Sequence, residues 1–356
     1  MSTLRALLAV VVVAGCGGRY SGTSKPTTPS QPEAALPKGD LDAAKLPYQI
    51  LERKGTQIDE EAFWTRLSKA RAVCVGEEHP NPHHHWVQLH VVRELGKRLG
   101  KDGKLALGLE MVQKPFQGPL DDYAAKRIDA ETMRSRTGWE DRWGYDYSFY
   151  GPTFDAAIAV GGQLLALNAP KELVKKVSRQ GLESLAPDEK AQVPELKLDD
   201  AAHRAWFDNL MAEMGGASAH SSKGSDDNPH KKDDKNGAPD PNASKDKPAN
   251  PHTGGAPAMP SADRIYTVQV LWDETMADGS AKWLKAHPNG KLVILAGNGH
   301  CHDTAIVNRL KRRGIDDVVS IRAVIDDKEG SVADVMAKPM NDFVVVLQLP
   351  KQAAAK

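Results

Sequence analysis

Four short apolar runs, each closing on a polar side chain, constrain this sequence more than any other feature. Ala72-Val73-Cys74-Val75 is bounded by Gly76 and followed at once by Glu77, Glu78 and His79. The run 104–111 closes on Glu110, 163–168 ends on Asn168, and 291–296 leads into Gly297-Asn298-Gly299-His300. Runs of this length without alternation suit strands covered on both faces, which is the condition of a parallel sheet. Stretches with helical spacing separate them, at 59–70, 83–99, 120–136, 199–214 and 268–277, with a further helix following Pro170. Asp129 would cap a second piece of the 120–136 stretch beginning at Ala130. Two more strands, 317–325 and 343–349, close the sheet. The fold class predicted is α/β, with a mostly parallel central sheet flanked by helices. Open sheets of this kind place ligands at the carboxyl ends of their strands, so Glu77, His79, Glu110 and His300 are expected to face one crevice.

Between Arg71 and Leu95 lie five of the chain's 12 histidines: His79, His83, His84, His85 and His90. Neutral imidazole binds borderline transition metals, and a neighbouring carboxylate adds charge and orientation. His79, Glu77, Glu110 and His300 are therefore candidate ligands of a divalent metal, with His83, His84 and His85 close by. For His85 and His90 the competing reading is a solvated helix start. Two glycines beside His300 let backbone approach a ligand closely.

Residues 139–150, WEDRWGYDYSFY, form the strongest compositional shift. The whole chain holds 7 Trp, 7 Tyr and 6 Phe, and six of these fall within those twelve positions with no aliphatic residue among them. Such a run looks built to face something flat. Tyr145, Tyr147 and Tyr150 offer phenols that could ligate haem iron, and Trp139 and Trp143 could stack on a macrocycle. The alternative is an aromatic cluster that stabilises a loop. Tyr150 is favoured as the ligand because Gly151-Pro152 directly after it should end the local segment and fix its direction. His83 or His84 is the competing axial ligand.

The amino terminus has one positive charge at Arg5, an apolar run from Ala6 to Ala14 and small residues before Cys16, which is the shape of an export signal. Val13-Ala14-Gly15-Cys16 resembles a bacterial lipobox, so Cys16 is expected to be acylated and to tether the protein to a membrane, the outer membrane favoured. Residues 17–45 then read as a flexible tether. The tract 215–263 is Gly, Pro, Asn, Asp, Ser and Lys with hardly an aliphatic side chain, and is expected to be a disordered insertion. That leaves 46–214 and 264–350 as one α/β domain. Of the remaining cysteines, Cys74 sits within an apolar strand run, where a free thiol serves as a small hydrophobe. An oxidising compartment would permit a bridge to Cys301, but a free thiol is the expectation. Lys plus Arg equal Asp plus Glu at 47 each, so no net field favours nucleic acid as a partner.

Taken in order, Gly76-Glu77-Glu78-His79 with Pro82-His83-His84, Gly108-Leu109-Glu110-Met111, residues 139–150, Leu167-Asn168-Ala169-Pro170, residues 269–277 and Gly297-Asn298-Gly299-His300 resemble the ChaN-like haem-binding lipoproteins of the Tiki superfamily. The resemblance runs from about residue 73 to 313. It implies a helical subdomain over the carboxyl ends of the strands, haem near that opening, and a role in haem or iron acquisition at the bacterial cell envelope. Two chains sharing a cofactor as a homodimer would be compatible with it. By this resemblance Glu77, His79, Glu110 and His300 match the superfamily's polar centre, and Tyr150 with Trp139 lies in the stretch associated with haem. Because other members of the superfamily are enzymes, a metal-dependent hydrolase using those four polar residues is the alternative. The sequence departs from the family at Cys301-His302-Asp303 and in the long tract after Met214.

Overall fold

The computed structural model describes residues 45–100, 103–221, 261–326 and 331–349. Cys16, most of the tether and the greater part of the 215–263 tract lie outside the described residues. One sheet runs through the domain, built from β1 (Tyr48–Glu52), β2 (Gln57–Ile58), β3 (Ala72–Glu77), β4 (Lys104–Gln113), β5 (Gln163–Asn168), β6 (Gly290–Gly297), β7 (Val318–Ile325) and β8 (Phe343–Leu347). Their order is β2-β1-β8-β7-β3-β6-β4-β5. The pairs from β8 across to β5 are parallel, with Ala72 of β3 opposite both Leu292 of β6 and Val318 of β7. β1 pairs antiparallel with both β2 and β8, so the sheet is mixed at that edge.

Twelve α-helices occur among the described residues: α1 (Glu60–Lys69), α2 (Pro82–Lys97), α3 (Gln117–Ala124), α4 (Ala130–Thr137), α5 (Trp139–Arg142), α6 (Gly151–Ala159), α7 (Lys171–Gln180), α8 (Pro187–Lys190), α9 (Ala201–Ser221), α10 (Ala262–Ala286), α11 (Asn308–Arg312) and α12 (Ser331–Ala337). None is long and apolar enough to cross a membrane. Local chemistry explains several boundaries. Asp59 and Asp129 cap α1 and α4 by accepting from the amides of Ala62 and Thr132. Asn81 does the same for α2, and Pro82 takes the first helical position, where its missing N–H costs nothing. Two expectations are corrected here. Gly151-Pro152 opens α6 rather than ending a segment, because proline is as well suited to a first helical turn as to a stop. α9 continues to Ser221, so residues 215–221 of the tract expected to be disordered are helical.

Strand alternation decides what each half of the site meets. Side chains point to opposite faces with period two. Val73 and Val75 of β3, with Leu105, Leu107 and Leu109 of β4, pack into the core shared with α1, α2 and α6. Ala72 and Cys74, with Ala106, Leu292 and Ile294, pack against α10 and α11. Glu77 continues the first series toward α2. Glu110 continues the second toward α10.

That parity also brings Cys74 to Cys301. They form a disulfide with Cα atoms 5.3 Å apart, spanning 227 residues, and so Cys74 is not the free thiol expected from its apolar run. An apolar strand position buries a disulfide as readily as a thiol when its partner arrives from the adjoining loop. The bridge ties β3 to the loop that carries His300, directly beneath the carboxyl end of the sheet.

Candidate functional site: a buried carboxylate and imidazole centre

Glu77 is 2% exposed and is the hub of the first half of the site. Its Oε1 accepts from His79 Nδ1 at 2.8 Å and from the Tyr150 hydroxyl at 3.1 Å, while Oε2 lies 3.0 Å from His85 Nδ1. His85 is 0% exposed. Its Nε2 faces the His79 carbonyl at 2.8 Å, and its Nδ1 also faces the Gln88 side-chain oxygen at 3.1 Å. Gln88 is oriented by donating to the Val75 carbonyl at 3.2 Å. Both ring nitrogens of His85 therefore meet only acceptors, and the ring must be an imidazolium. Burial alone would lower the His85 pKa, but Glu77 outweighs it and raises the value. Burial would likewise raise the Glu77 carboxyl, yet His85 and the hydrogen bonds from His79 and His85 hold it well below the carboxylate range. His85 is thus the counter-ion of the centre and not a solvated cap.

The second half gathers around Glu110 and His300. Glu110 Oε2 accepts from the Gly297 amide at 2.7 Å, and its Oε1 is 3.5 Å from His300 Nε2. His300 Nδ1 donates to Asp273 Oδ1 at 2.7 Å. Burial lowers the His300 pKa, but Glu110 and Asp273 overcome it and the net shift is upward. The two halves meet at Gly297: a Cβ there would lie 3.1 Å from His79 Cε1 and 3.8 Å from Glu110 Oε2. The missing side chain at Gly297 leaves room for the imidazole and the strand end to approach closely. Glu77, His79, Glu110 and His300 are therefore brought together as expected of strand ends.

Among the described residues no group of three or more His, Cys, Asp or Glu side chains is arranged to hold a metal ion. His79 and His300 each commit Nδ1 to a different carboxylate, and one oxygen of Glu110 is taken by an amide.

The aromatic run covers this centre in layers. Trp139 is buried, and its indole N–H donates to the Tyr145 carbonyl at 2.7 Å. Trp143 and Tyr145 are half-buried and pack on His79 with ring centroids 4.7 and 4.9 Å away. Tyr147 donates to the Tyr123 hydroxyl at 3.5 Å, and burial pushes its pKa up to about 12. Tyr150 is 0% exposed, with its hydroxyl on Glu77; burial and that carboxylate raise its pKa well above the phenol range. An outward tyrosinate is the opposite of this environment, so Tyr150 is a structural phenol in this arrangement. His84 is buried and accepts from the Glu78 amide through Nδ1 at 3.0 Å, and burial pushes its pKa down to about 3. His83 is buried at the same helix start. Neither offers an exposed axial nitrogen.

Asp273 and His203 are not assigned to the site by the sequence, although 269–277 is among the segments that carry the family resemblance. Asp273 shares a helical face with Gln269 and Trp272, and the only signal was a charged residue placed among apolar neighbours of α10.

The profile of the family described as "Haem-binding uptake, Tiki superfamily, ChaN" matches residues 63–310. The chain belongs to that family. Among solved structures it is similar to ChaN of Campylobacter jejuni, described as showing cofacial haem binding, with TM-score 0.57 and 15% identity over 85% of this chain and 97% of that one. At that identity the likeness speaks for the fold. A mutant of the erythromycin esterase EreC in its open conformation is also similar, at TM-score 0.39 and 15% identity over 85% of this chain and 83% of the other. Protein RETICULATA-RELATED 5, chloroplastic, of Arabidopsis thaliana is 30% identical over 137 residues, 37% of this chain. The matched stretch spans only 18% of that relative's length.

Proposed function

We propose that this protein binds ferric haem on the face made by Trp143 and Tyr145 and serves haem or iron acquisition at the cell envelope. Family membership supports haem as the ligand. One observation carries the placement: Tyr145 is half-buried, and among the described residues its hydroxyl makes no hydrogen bond, whereas those of Tyr147 and Tyr150 are engaged. A phenolate is an anionic ligand suited to ferric iron. Tyr145 would hold the iron, Trp143 would supply a flat apolar wall, and His79, held by its hydrogen bond to Glu77, would fix that wall from behind.

When bound, haem supplies the iron that a phenolate can ligate. The chain's own residues exclude water and orient the aromatic wall. Acylation of Cys16 and outer-membrane attachment belong to the same proposal and rest on the lipobox-like motif. Purified protein titrated with ferric haem should show a saturable Soret band with the charge-transfer absorption of a phenolate complex. A spectrum identical to free haem would contradict the reading.

A further inference from the structure

We propose that Asp273 is the positioning residue of the strand-end centre, orienting His300 through one carboxylate oxygen and His203 through the other. Asp273 is 0% exposed in the middle of α10. Oδ1 accepts from His300 Nδ1 at 2.7 Å, and Oδ2 lies 3.2 Å from His203 Nε2. Each contact fixes a tautomer. With Nδ1 of His300 committed to Asp273, its Nε2 edge is the one turned to Glu110. His203 is fixed from both sides, because its Nδ1 is 3.2 Å from an Arg309 guanidinium N–H, which can only donate. His203 Nδ1 is therefore an acceptor and Nε2, on the edge turned to Asp273 Oδ2, carries the proton.

The surroundings keep Asp273 charged. Burial would raise its carboxyl, but Arg309 and His300 outweigh burial and hold it far below the usual range. Arg309, 3.7 Å from Asp273 Oδ2, is itself held by Glu274 at 3.3 Å and by the Thr304 carbonyl at 2.7 Å. Gln269, one turn before Asp273, donates to the Gly299 carbonyl at 3.2 Å and so holds the same loop. The centre thus reads as two carboxylate and imidazole pairs, Glu77 with His79 and Asp273 with His300, whose inner edges meet at Glu110 and Gly297. α9, which brings His203, meets the loop after β6 through this buried carboxylate and through Trp206, whose ring lies 4.3 Å from that of His302.

A carboxylate can accept from both imidazoles, whereas a carboxamide offers one acceptor and one donor. Asp273→Asn keeps the shape and must therefore change the protonation of one of the two rings. Long-range proton–nitrogen correlation spectra of the full chain, labelled at histidine nitrogen and recorded without haem, read this directly. In the wild type, His300 Nδ1 should be protonated and His203 Nδ1 should not. In Asp273→Asn one of these two patterns should invert or collapse, while His203→Phe should leave His300 protonated at Nδ1. A wild-type spectrum with either pattern reversed overturns the proposal even if the variant fails to fold, and so does a folded Asp273→Asn protein with both patterns intact. Because haem is absent from the experiment, its outcome is independent of the haem-binding reading.

Discussion

Replacing Glu77 by Gln removes a buried charge without changing the shape of the side chain. The glutamine has one acceptor for three donors, His79 Nδ1, the Tyr150 hydroxyl and His85 Nδ1. The His85 imidazolium loses its counter-ion at a position with no exposure. Removing one partner of a buried pair costs about 3–5 kcal/mol, which for a domain of this size lowers the melting temperature by on the order of 10 °C. The cost depends on pH in a fixed direction. His85 is raised in the folded state, so its contribution is fully present below its unfolded pKa of about 6.5 and is lost as pH rises through the folded value. Glu77 is depressed, so its contribution is present above its unfolded pKa of about 4.3 and is lost as pH falls toward the folded value. The two windows overlap near pH 5.5. Urea unfolding followed by tryptophan fluorescence should show the full loss there and a smaller one at pH 8.5. A loss under about 1 kcal/mol at pH 5.5, or one that grows with pH, would refute an ionised Glu77 and His85 pair.

Three further outcomes follow from the same geometry. Intact protein prepared without reductant should have no free thiol at Cys74 or Cys301, and Cys74→Ala with Cys301→Ala should lose about 5 kcal/mol in the chain-entropy picture for a loop of 227 residues; alkylation of both cysteines without denaturant would contradict it. His84, whose pKa burial lowers to about 3, should remain neutral in histidine nitrogen spectra at pH 5, and an imidazolium there would show that the site is open to water. Cys16→Ala should release the protein from membranes, and unchanged fractionation would end the lipid-anchor reading.

The sheet was legible because its strands are buried on both faces. Runs such as 104–111 and 291–296 have no other use for so many aliphatic residues in sequence. The edge hairpin β1 and β2 was not, since YQILE and a two-residue partner carry too little pattern to separate from loop. The polar residues at strand ends announced the site, but their partners come from α2, α10 and the 139–150 run, and pairing across 73 residues, as between Tyr150 and Glu77, leaves no local trace. His85 illustrates the limit. At a helix start it reads as solvated, and only the arrival of Glu77 and the 139–150 run over it makes it a buried cation. The aromatic run stands out by composition, yet which tyrosine is left without a hydrogen bond depends on contacts to Tyr123 and Glu77 that composition does not contain.

The claim that Tyr145 is the haem-binding phenol is tested most directly by parallel ferric haem titrations of Tyr145→Phe and Tyr150→Phe, each keeping its ring and losing only a hydroxyl. Tyr145→Phe should lose the phenolate charge-transfer absorption and bind haem at least tenfold more weakly. Tyr150→Phe should keep the wild-type spectrum while losing about 1.5–3 kcal/mol of stability with its hydrogen bond to Glu77. Wild-type haem spectra in Tyr145→Phe, with the loss confined to Tyr150→Phe, would contradict the account.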